Sequence, residues 1–207
     1  MDQNKKIEDI FEDIIFNKRW SKKDLCGPGS SISYTEKLRG QLPDLLHRYK
    51  ISSMFDIPCG DFSWMQYVNL EGIEYLGGDI VEKLIETNKK NYPKYNFKKI
   101  DIINDSLPDS DLIFVKDCLL HLSNMHIKKT LQNICRSNIK FLLMTNWLED
   151  YDNFRDIETG QGRLLNFLVE PYNFPLPLDI IVEKNPKISL NLWKIDDLRQ
   201  LNFINIG

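Results

Sequence analysis

The spacing of apolar positions changes once along this chain, near residue 50. Before that point Ile7, Ile10, Phe11, Ile14 and Ile15 recur at helical spacing with acids between them, which predicts an amphipathic helix over residues 5–20. Cys26-Gly27-Pro28-Gly29-Ser30-Ser31 reads as a turn. Helical spacing resumes from Tyr34 to Tyr49, with Pro43 marking a kink or a junction between two helices. Beyond residue 50 short apolar runs alternate with helical stretches. Strands are expected at Ser53–Asp56, Glu74–Asp79, Asn96–Lys99, Leu112–Lys116 and Lys140–Thr145. Helices are expected at Val81–Asn91 and Asn124–Ser137, the second capped by Ser123, with a short one at Trp64–Leu70. Asn146 to Leu178 is a long segment rich in Asn, Pro and aromatics. Asp179–Glu183 and Leu190–Lys194 then flank Asn185-Pro186 as a hairpin. The alternation of strands and helices predicts an α/β fold with a parallel sheet.

Composition narrows the class. A chain of 207 residues with 42% hydrophobic and 28% charged residues fits one globular domain with a proper core. A net charge of −3 supplies no field toward nucleic acid or an anionic membrane. Lys5, Lys6, Lys18, Arg19, Lys22 and Lys23 form either a local basic patch or a solvated helix face. Cys26, Cys59, Cys118 and Cys135 contain no CxxC pair, so neither a disulfide framework nor a structural zinc site is expected, and no metal-ligand spacing is visible. No signal-peptide core and no membrane-spanning run is present, so a cytoplasmic, reduced protein is expected.

Candidate chemistry begins at Phe55-Asp56-Ile57-Pro58-Cys59-Gly60-Asp61-Phe62-Ser63-Trp64, which follows the first strand. In a βαβ unit a nucleotide-like ligand docks there, where the strand order reverses. A dinucleotide needs a glycine-rich turn whose amides face a pyrophosphate. This loop has one glycine and two carboxylates, which repel phosphate. A cationic ligand with an amino-acid head suits it better, and S-adenosylmethionine is one.

The loop resembles that of the class I S-adenosylmethionine-dependent methyltransferases, whose strand is followed by Asp/Glu-x-Gly-x-Gly-x-Gly. Here only Gly60 of the three glycines is kept, with Pro58 and Phe62 in place of the others. The variant Asp-x-Pro-Cys-Gly-Asp-Phe-x-Trp-Met resembles a branch of small methyltransferases from surface-polysaccharide gene clusters. The resemblance implies a Rossmann-like, mixed seven-stranded sheet of five parallel strands plus a C-terminal hairpin, with helices on both faces. It divides the chain into a helical cap (1–50), a cofactor-binding core (51–145), an acceptor-side loop (146–178) and the hairpin and tail (179–207). It also implies a cofactor loop of Asp56, Pro58, Cys59, Gly60, Asp61 and Trp64.

Three further strand ends carry acids. Asp79 in Gly77-Gly78-Asp79-Ile80 follows the first loop by about 20 residues, where an acid accepts from two ribose hydroxyls. Asp79 also reads as an N-cap before Val81, although the two glycines beside it suggest close ligand approach. Asp101-Ile102 closes the third strand; in the family such an acid accepts from the adenine amino group and the next residue packs on the ring. An ordinary surface acid is the alternative there. Asp117-Cys118 closes the fourth strand, where family members face the methionine moiety or the acceptor.

His121 follows Asp117 by one helical turn, so both are expected on one face. An alcohol acceptor needs a base, and an imidazole with a pKa near 6.5 is suited to that role. His121 is therefore the candidate base, with Asp117 orienting it or the substrate; plain architecture is the alternative for His121. On the loop after the fifth strand, Asp156, Arg163 and Asn166 belong to an Asp-Ile-x-Thr-Gly-x-x-Arg-x-Leu-Asn pattern that resembles one in the same branch. They are candidates for acceptor binding, with Arg163 suited to a phosphate or carboxylate. Equally, Arg163 and Asn166 could tie down the loop's own carbonyls. Gly29, Ser30 and Thr35 lie in a turn that either covers the cofactor or only connects two helices.

The function expected is methyl transfer from S-adenosylmethionine to a hydroxyl, or an amine or phosphoramide nitrogen, of a small-molecule or sugar acceptor. Nucleic acid is not an expected partner. A catalytically silent methyltransferase-like subunit, with the first helix as an interface, is the alternative of another class. A nucleotide-dependent oxidoreductase fits the acidic loop poorly.

Overall fold

The computed structural model describes residues 6–201. The expected helix start at Lys5 and the tail beyond residue 201 lie outside the described residues. Helix α1 (Ile7–Phe16) is the amphipathic segment, and α2 (Glu36–Arg48) follows as one helix that Pro43 does not divide. The alternating part gives β1 (Ser53–Asp56), β2 (Glu74–Asp79), α3 (Glu82–Asn91), β3 (Asn96–Lys99), β4 (Leu112–Val115) and α4 (Asn124–Arg136). Then come β5 (Phe141–Trp147), β6 (Asp179–Val182), β7 (Ile188–Lys194) and α5 (Ile195–Leu198). Ser123 caps α4 as expected, its Oγ accepting from His126 N at 3.3 Å.

The sheet order is β3-β2-β1-β4-β5-β7-β6. The strands β1 to β5 run parallel, and β7 pairs antiparallel with both β5 and β6. This is the seven-stranded mixed sheet that the sequence predicts. Because β1 has β2 on one side and β4 on the other, chain direction along the sheet reverses there, and a crevice opens beyond the strands' carboxyl ends.

Two cores form as strand side chains alternate between faces. On one face Phe55, Ile113, Val115, Leu142 and Met144 pack with Ile127, Leu131 and Ile134 of α4 and with Phe167, Tyr172 and Phe174 of the long loop. On the other, Met54, Leu112, Phe114 and Leu143 pack with Leu38, Leu42, Leu45 and Leu46 of α2.

The segment Trp64–Leu70, expected to be a helix, contains only a 3-10 turn at Met65–Tyr67. Its burial explains the difference: Phe62 (0%), Met65 (0%) and Val68 (4%) enter the α2 core at intervals of three, the 3-10 period. Phe62 is further fixed by Tyr75, Tyr92, Tyr95 and Phe97, whose ring centroids lie 4.9–5.2 Å away. This anchors the loop after β1 from below.

Candidate functional site

At the crevice, a cleft is lined by the ends of β1, β2, β3 and β4 and by residues of the N-terminal segment. Asp56, Pro58, Cys59, Gly60, Asp61, Trp64, Asp79, Ile80, Asp101, Ile102, Asp117, Cys118 and His121 all border it. Five of its lining residues are aspartates and only Lys116 is a lysine. The cleft therefore favours a cation over a phosphate.

Asp79 joins two loops. Its Oδ2 accepts from Gly60 N at 3.1 Å and its Oδ1 from Val81 N at 2.9 Å. The second bond closes a turn ahead of α3, whose N-cap is Val81, so Asp79 is not the helix N-cap that its sequence position also suggested. Two amides leave carboxylate lone pairs over for a ligand hydroxyl. Asn88 reaches back from α3, its Nδ2 donating to Gly60 O at 2.7 Å, and Cys59 N donates to Gly78 O at 2.8 Å. Gly60 takes a positive φ of 56°, and a Cβ there would lie 2.9 Å from Cys26 Sγ, so the turn needs its glycine.

Gly77 and Gly78 answer to packing and not to a ligand. A Cβ on Gly77 would lie 2.7 Å from Phe97 Cδ1, and one on Gly78 would lie 2.7 Å from Phe55 Cε2. Neither glycine borders the cleft.

Burial shapes the acids. Asp56 is 2% exposed, and its Oδ2 accepts from the Tyr75 hydroxyl at 2.7 Å. Desolvation pushes its pKa up to about 7, against the Tyr75 bond, with Asp79 adding to the rise. Asp79 is likewise pushed up by burial to about 6, opposed by its amide bonds. A cation in the cleft would draw both toward the ionised form. Asp101 spends its carboxylate on its own turn, accepting from Ile103 N at 2.9 Å and from Asn104 Nδ2 at 2.7 Å. Asp61 Oδ1 accepts from Ser63 N at 3.1 Å.

Asp117 stands in the left-handed region, with φ of 51°. Its amide donates to Thr145 Oγ1 at 2.9 Å and its carboxylate pairs with the buried ammonium of Lys116. Lys116 Nζ lies 3.1 Å from Glu183 Oε1 and 5.6 Å from the Tyr34 ring centroid. Burial works against the charge on Lys116, but Asp117 and Glu183 outweigh it and hold its pKa above the usual lysine range. The Asp117 carboxylate is thus engaged by Lys116 and Thr145, and no hydrogen bond joins it to His121 among the described residues, so it does not orient the imidazole in that way.

The turn that carries His121 is 3-10 (Leu119–His121), not α-helical. His121 Nδ1 sits 2.8 Å from Gln161 O, and since a carbonyl only accepts, Nδ1 carries the hydrogen. The neutral ring then has its lone pair on Nε2. Burial lowers the pKa, with the Gln161 bond and Asp117 opposing. Trp20 stacks on the ring, with centroids 4.4 Å apart and planes at 25°.

The loop Asp156–Asn166 holds this turn, and the structure does not bring its three candidate acceptor residues to the cleft. Asp156 Oδ1 accepts from Asn124 N at 2.7 Å at the start of α4. Arg163 is 3% exposed; its Nη1 donates to Leu122 O at 2.9 Å and its Nη2 to Asn124 Oδ1 at 2.5 Å. Asn166 is buried, its backbone N donating to Asn153 Oδ1 at 2.9 Å and its Oδ1 accepting from Leu168 N at 3.0 Å. Gly160 N donates to His121 O at 2.8 Å, and Arg163 N to Leu120 O at 3.0 Å. Polar side chains inside a loop are consumed by its own backbone groups, which is the tie-down alternative for Arg163 and Asn166.

The N-terminal segment adds cleft residues that the sequence reading did not place at the site: Ile7, Phe11 and Ile15 of the amphipathic helix, with Trp20 and Cys26. Their amphipathic pattern was visible; the surface they cover was not. Helix α1 crosses the ends of β2 and β3, where Glu8 pairs with Lys99 at 2.7 Å. Gly29 and Ser30 border the cleft, and a Cβ on Gly29 would lie 2.7 Å from Asp117 Oδ2. Thr35 does not border it; it is buried, its Oγ1 donating to Ser31 O at 3.0 Å.

No family profile and no curated protein matches the chain. Solved structures do match. Magnesium protoporphyrin IX methyltransferase from Synechocystis PCC 6803, with bound S-adenosylhomocysteine, aligns with a TM-score of 0.62 at 9% identity, over 89% of this chain and 97% of that one. The methyltransferase domain of bacterial CtHen1-CN aligns at 0.60 and 9% identity, over 78% and 99%. Human N-acetylserotonin methyltransferase, in complex with S-adenosylmethionine, aligns at 0.54 and 15% identity, over 81% of this chain and 59% of that one. At these identities the likeness concerns the fold. The chain has the Rossmann-like fold of the class I methyltransferase structures.

Proposed function

We propose that this protein is an S-adenosylmethionine-dependent methyltransferase acting on a hydroxyl of a small-molecule or sugar acceptor. The observation that carries the reading is the acidic cleft, with Asp56, Asp79 and Asp117 closing β1, β2 and β4 around a loop held by Asp79. Bound there, the cofactor would supply an electrophilic methyl group on a sulfonium. Asp79 offers its remaining lone pairs to ribose hydroxyls, Ile80 and Ile102 form apolar walls for a base, and Asp56, Asp61 and Asp117 favour positive charge. His121 Nε2 takes the hydroxyl proton of the acceptor as the acceptor oxygen attacks. The neighbouring apolar surface from Phe11, Ile15 and Trp20 excludes water and so aids alignment and desolvation. An amine acceptor would need this base less.

The surface-polysaccharide setting rests on the resemblance of the Asp56–Met65 loop. The test is transfer of a labelled methyl group to a panel of sugars, amines and phosphoramides, comparing the native protein with His121→Ala. Transfer to a hydroxyl that falls by about 10²–10⁴-fold in the variant supports the base. Full turnover in a variant that binds cofactor normally removes it, and transfer to none of the panel brings forward a binding subunit.

A further inference from the structure

Two features bear on His121 beyond the roles given above: the indole of Trp20, so far only an apolar wall, and the Thr159–Arg163 loop that never reaches the cleft. Both converge on one imidazole. Trp20 covers a face of His121 at 4.4 Å between centroids and is itself backed by Phe11, with centroids 6.1 Å apart. At the ring's edge, a Cβ on Gly162 would lie 3.6 Å from Nδ1, so the loop backbone runs close against it. Gln161 O takes the Nδ1 hydrogen, and Gly160 N fixes the carbonyl of His121 itself. The loop is held in turn by Thr159, whose Oγ1 accepts from Ser123 N at 3.1 Å.

We propose that Trp20 is a positioning residue for His121: its stack, together with the Gln161 carbonyl, holds the imidazole in the Nδ1–H tautomer with Nε2 as the lone-pair atom. The inference rests on the reading of His121 as the base, and it extends the site to a residue far from it in sequence. A ring fixed through one nitrogen leaves the other as a directed acceptor. An indole on its face excludes water from the ring, and burial disfavours the charged form, in keeping with the lowered pKa. The charged groups around the ring are Asp117, paired with Lys116, at the end of β4, and Arg163 and Arg155 on the loop. Both guanidiniums are engaged with carbonyls, Arg163 with that of Leu122 and Arg155 with that of Gly162.

The test is nitrogen-15 and proton NMR titration of the histidine rings in the native protein, Trp20→Phe and Trp20→Ala, with His121 assigned through His121→Ala. The native protein is expected to show the Nδ1–H tautomer at high pH and a midpoint below the ordinary value of about 6.5. Trp20→Phe keeps both features. Trp20→Ala shifts the midpoint and mixes the tautomers, and the acid limb of the methyl-transfer rate moves with it. If Trp20→Ala does not fold, Trp20→Leu, which keeps apolar contact without a ring, carries the same expectation. An unmoved midpoint and tautomer in a folded ring-less variant overturns the proposal. A moved midpoint with transfer indifferent to His121→Ala keeps Trp20 as a positioning residue and overturns His121 as the base instead.

Discussion

The amide of Gly60 donates to Asp79 Oδ2 at 3.1 Å, so the turn after β1 and the end of β2 share one buried carboxylate. Removing that carboxylate touches stability and ligand binding together. Asp79→Ala leaves the Gly60 and Val81 amides without their acceptor and is expected to cost about 1–3 kcal/mol. Asp79→Asn keeps a carbonyl oxygen and loses less stability, yet still weakens the cofactor. Thermal melting with and without S-adenosylhomocysteine separates the two effects; an Asp79→Ala protein with native stability would contradict this bracing role.

The raised acids set opposite pH trends for folding and for a cationic ligand. Asp56 (about 7) and Asp79 (about 6) titrate above the unfolded carboxylate value of about 3.9. A group with a raised folded pKa stabilises most below its unfolded value, and that contribution is lost progressively as pH rises from about 4 to the folded values of about 6 and 7. The ligand-free protein therefore loses stability across this window. Ionised carboxylates attract a sulfonium, so S-adenosylmethionine should bind more tightly as pH rises through the same range. S-adenosylhomocysteine, neutral at sulfur, should show a smaller trend. Titrations of both ligands at several pH values check this, and equal trends would contradict it.

Arg163 separates loop architecture from acceptor binding. With its guanidinium buried on Leu122 O and Asn124 Oδ1, Arg163→Ala strands those acceptors and is expected to lose about 1–3 kcal/mol of stability. The acceptor's KM should stay unchanged while kcat falls through loosening of the His121 turn. A rise in KM with native stability would restore Arg163 as an acceptor ligand.

Gly78→Ala forces a Cβ to within 2.7 Å of the buried Phe55 ring. Overpacking of this kind costs roughly 1–3 kcal/mol. Denaturant melts should show that loss, with cofactor affinity following stability and not failing separately; a native-stability variant that no longer binds would return the glycine to the ligand.

Local signals carried the sheet. The bounds expected for β1, β2 and β3 coincide with the structure: β1 and β2 are short segments with apolar positions closed by an acid, and β3 alternates about the buried Phe97. The carboxylates Asp56 and Asp79 were legible for the same reason: they close strands. What sequence spacing could not reveal is contact between distant segments. Glu183 meets Lys116 only through the hairpin, and Trp20 meets His121 only because α1 crosses the strand ends. The Asp156–Asn166 motif was visible as a motif, but its polar residues face the α4 start and not the cleft. Phe62, Met65 and Val68 are three apolar anchors at a spacing of three, which a helix and a 3-10 turn share in part.

The account stands on the identity of the ligand in the acidic cleft. Calorimetric titration of the cofactor-free protein with S-adenosylmethionine, S-adenosylhomocysteine and NAD tests it most directly. Saturable one-site binding of both adenosyl ligands, weakened in Asp79→Asn and absent for NAD, is the predicted result. Binding of NAD alone, or of none of the three to folded protein, would contradict it.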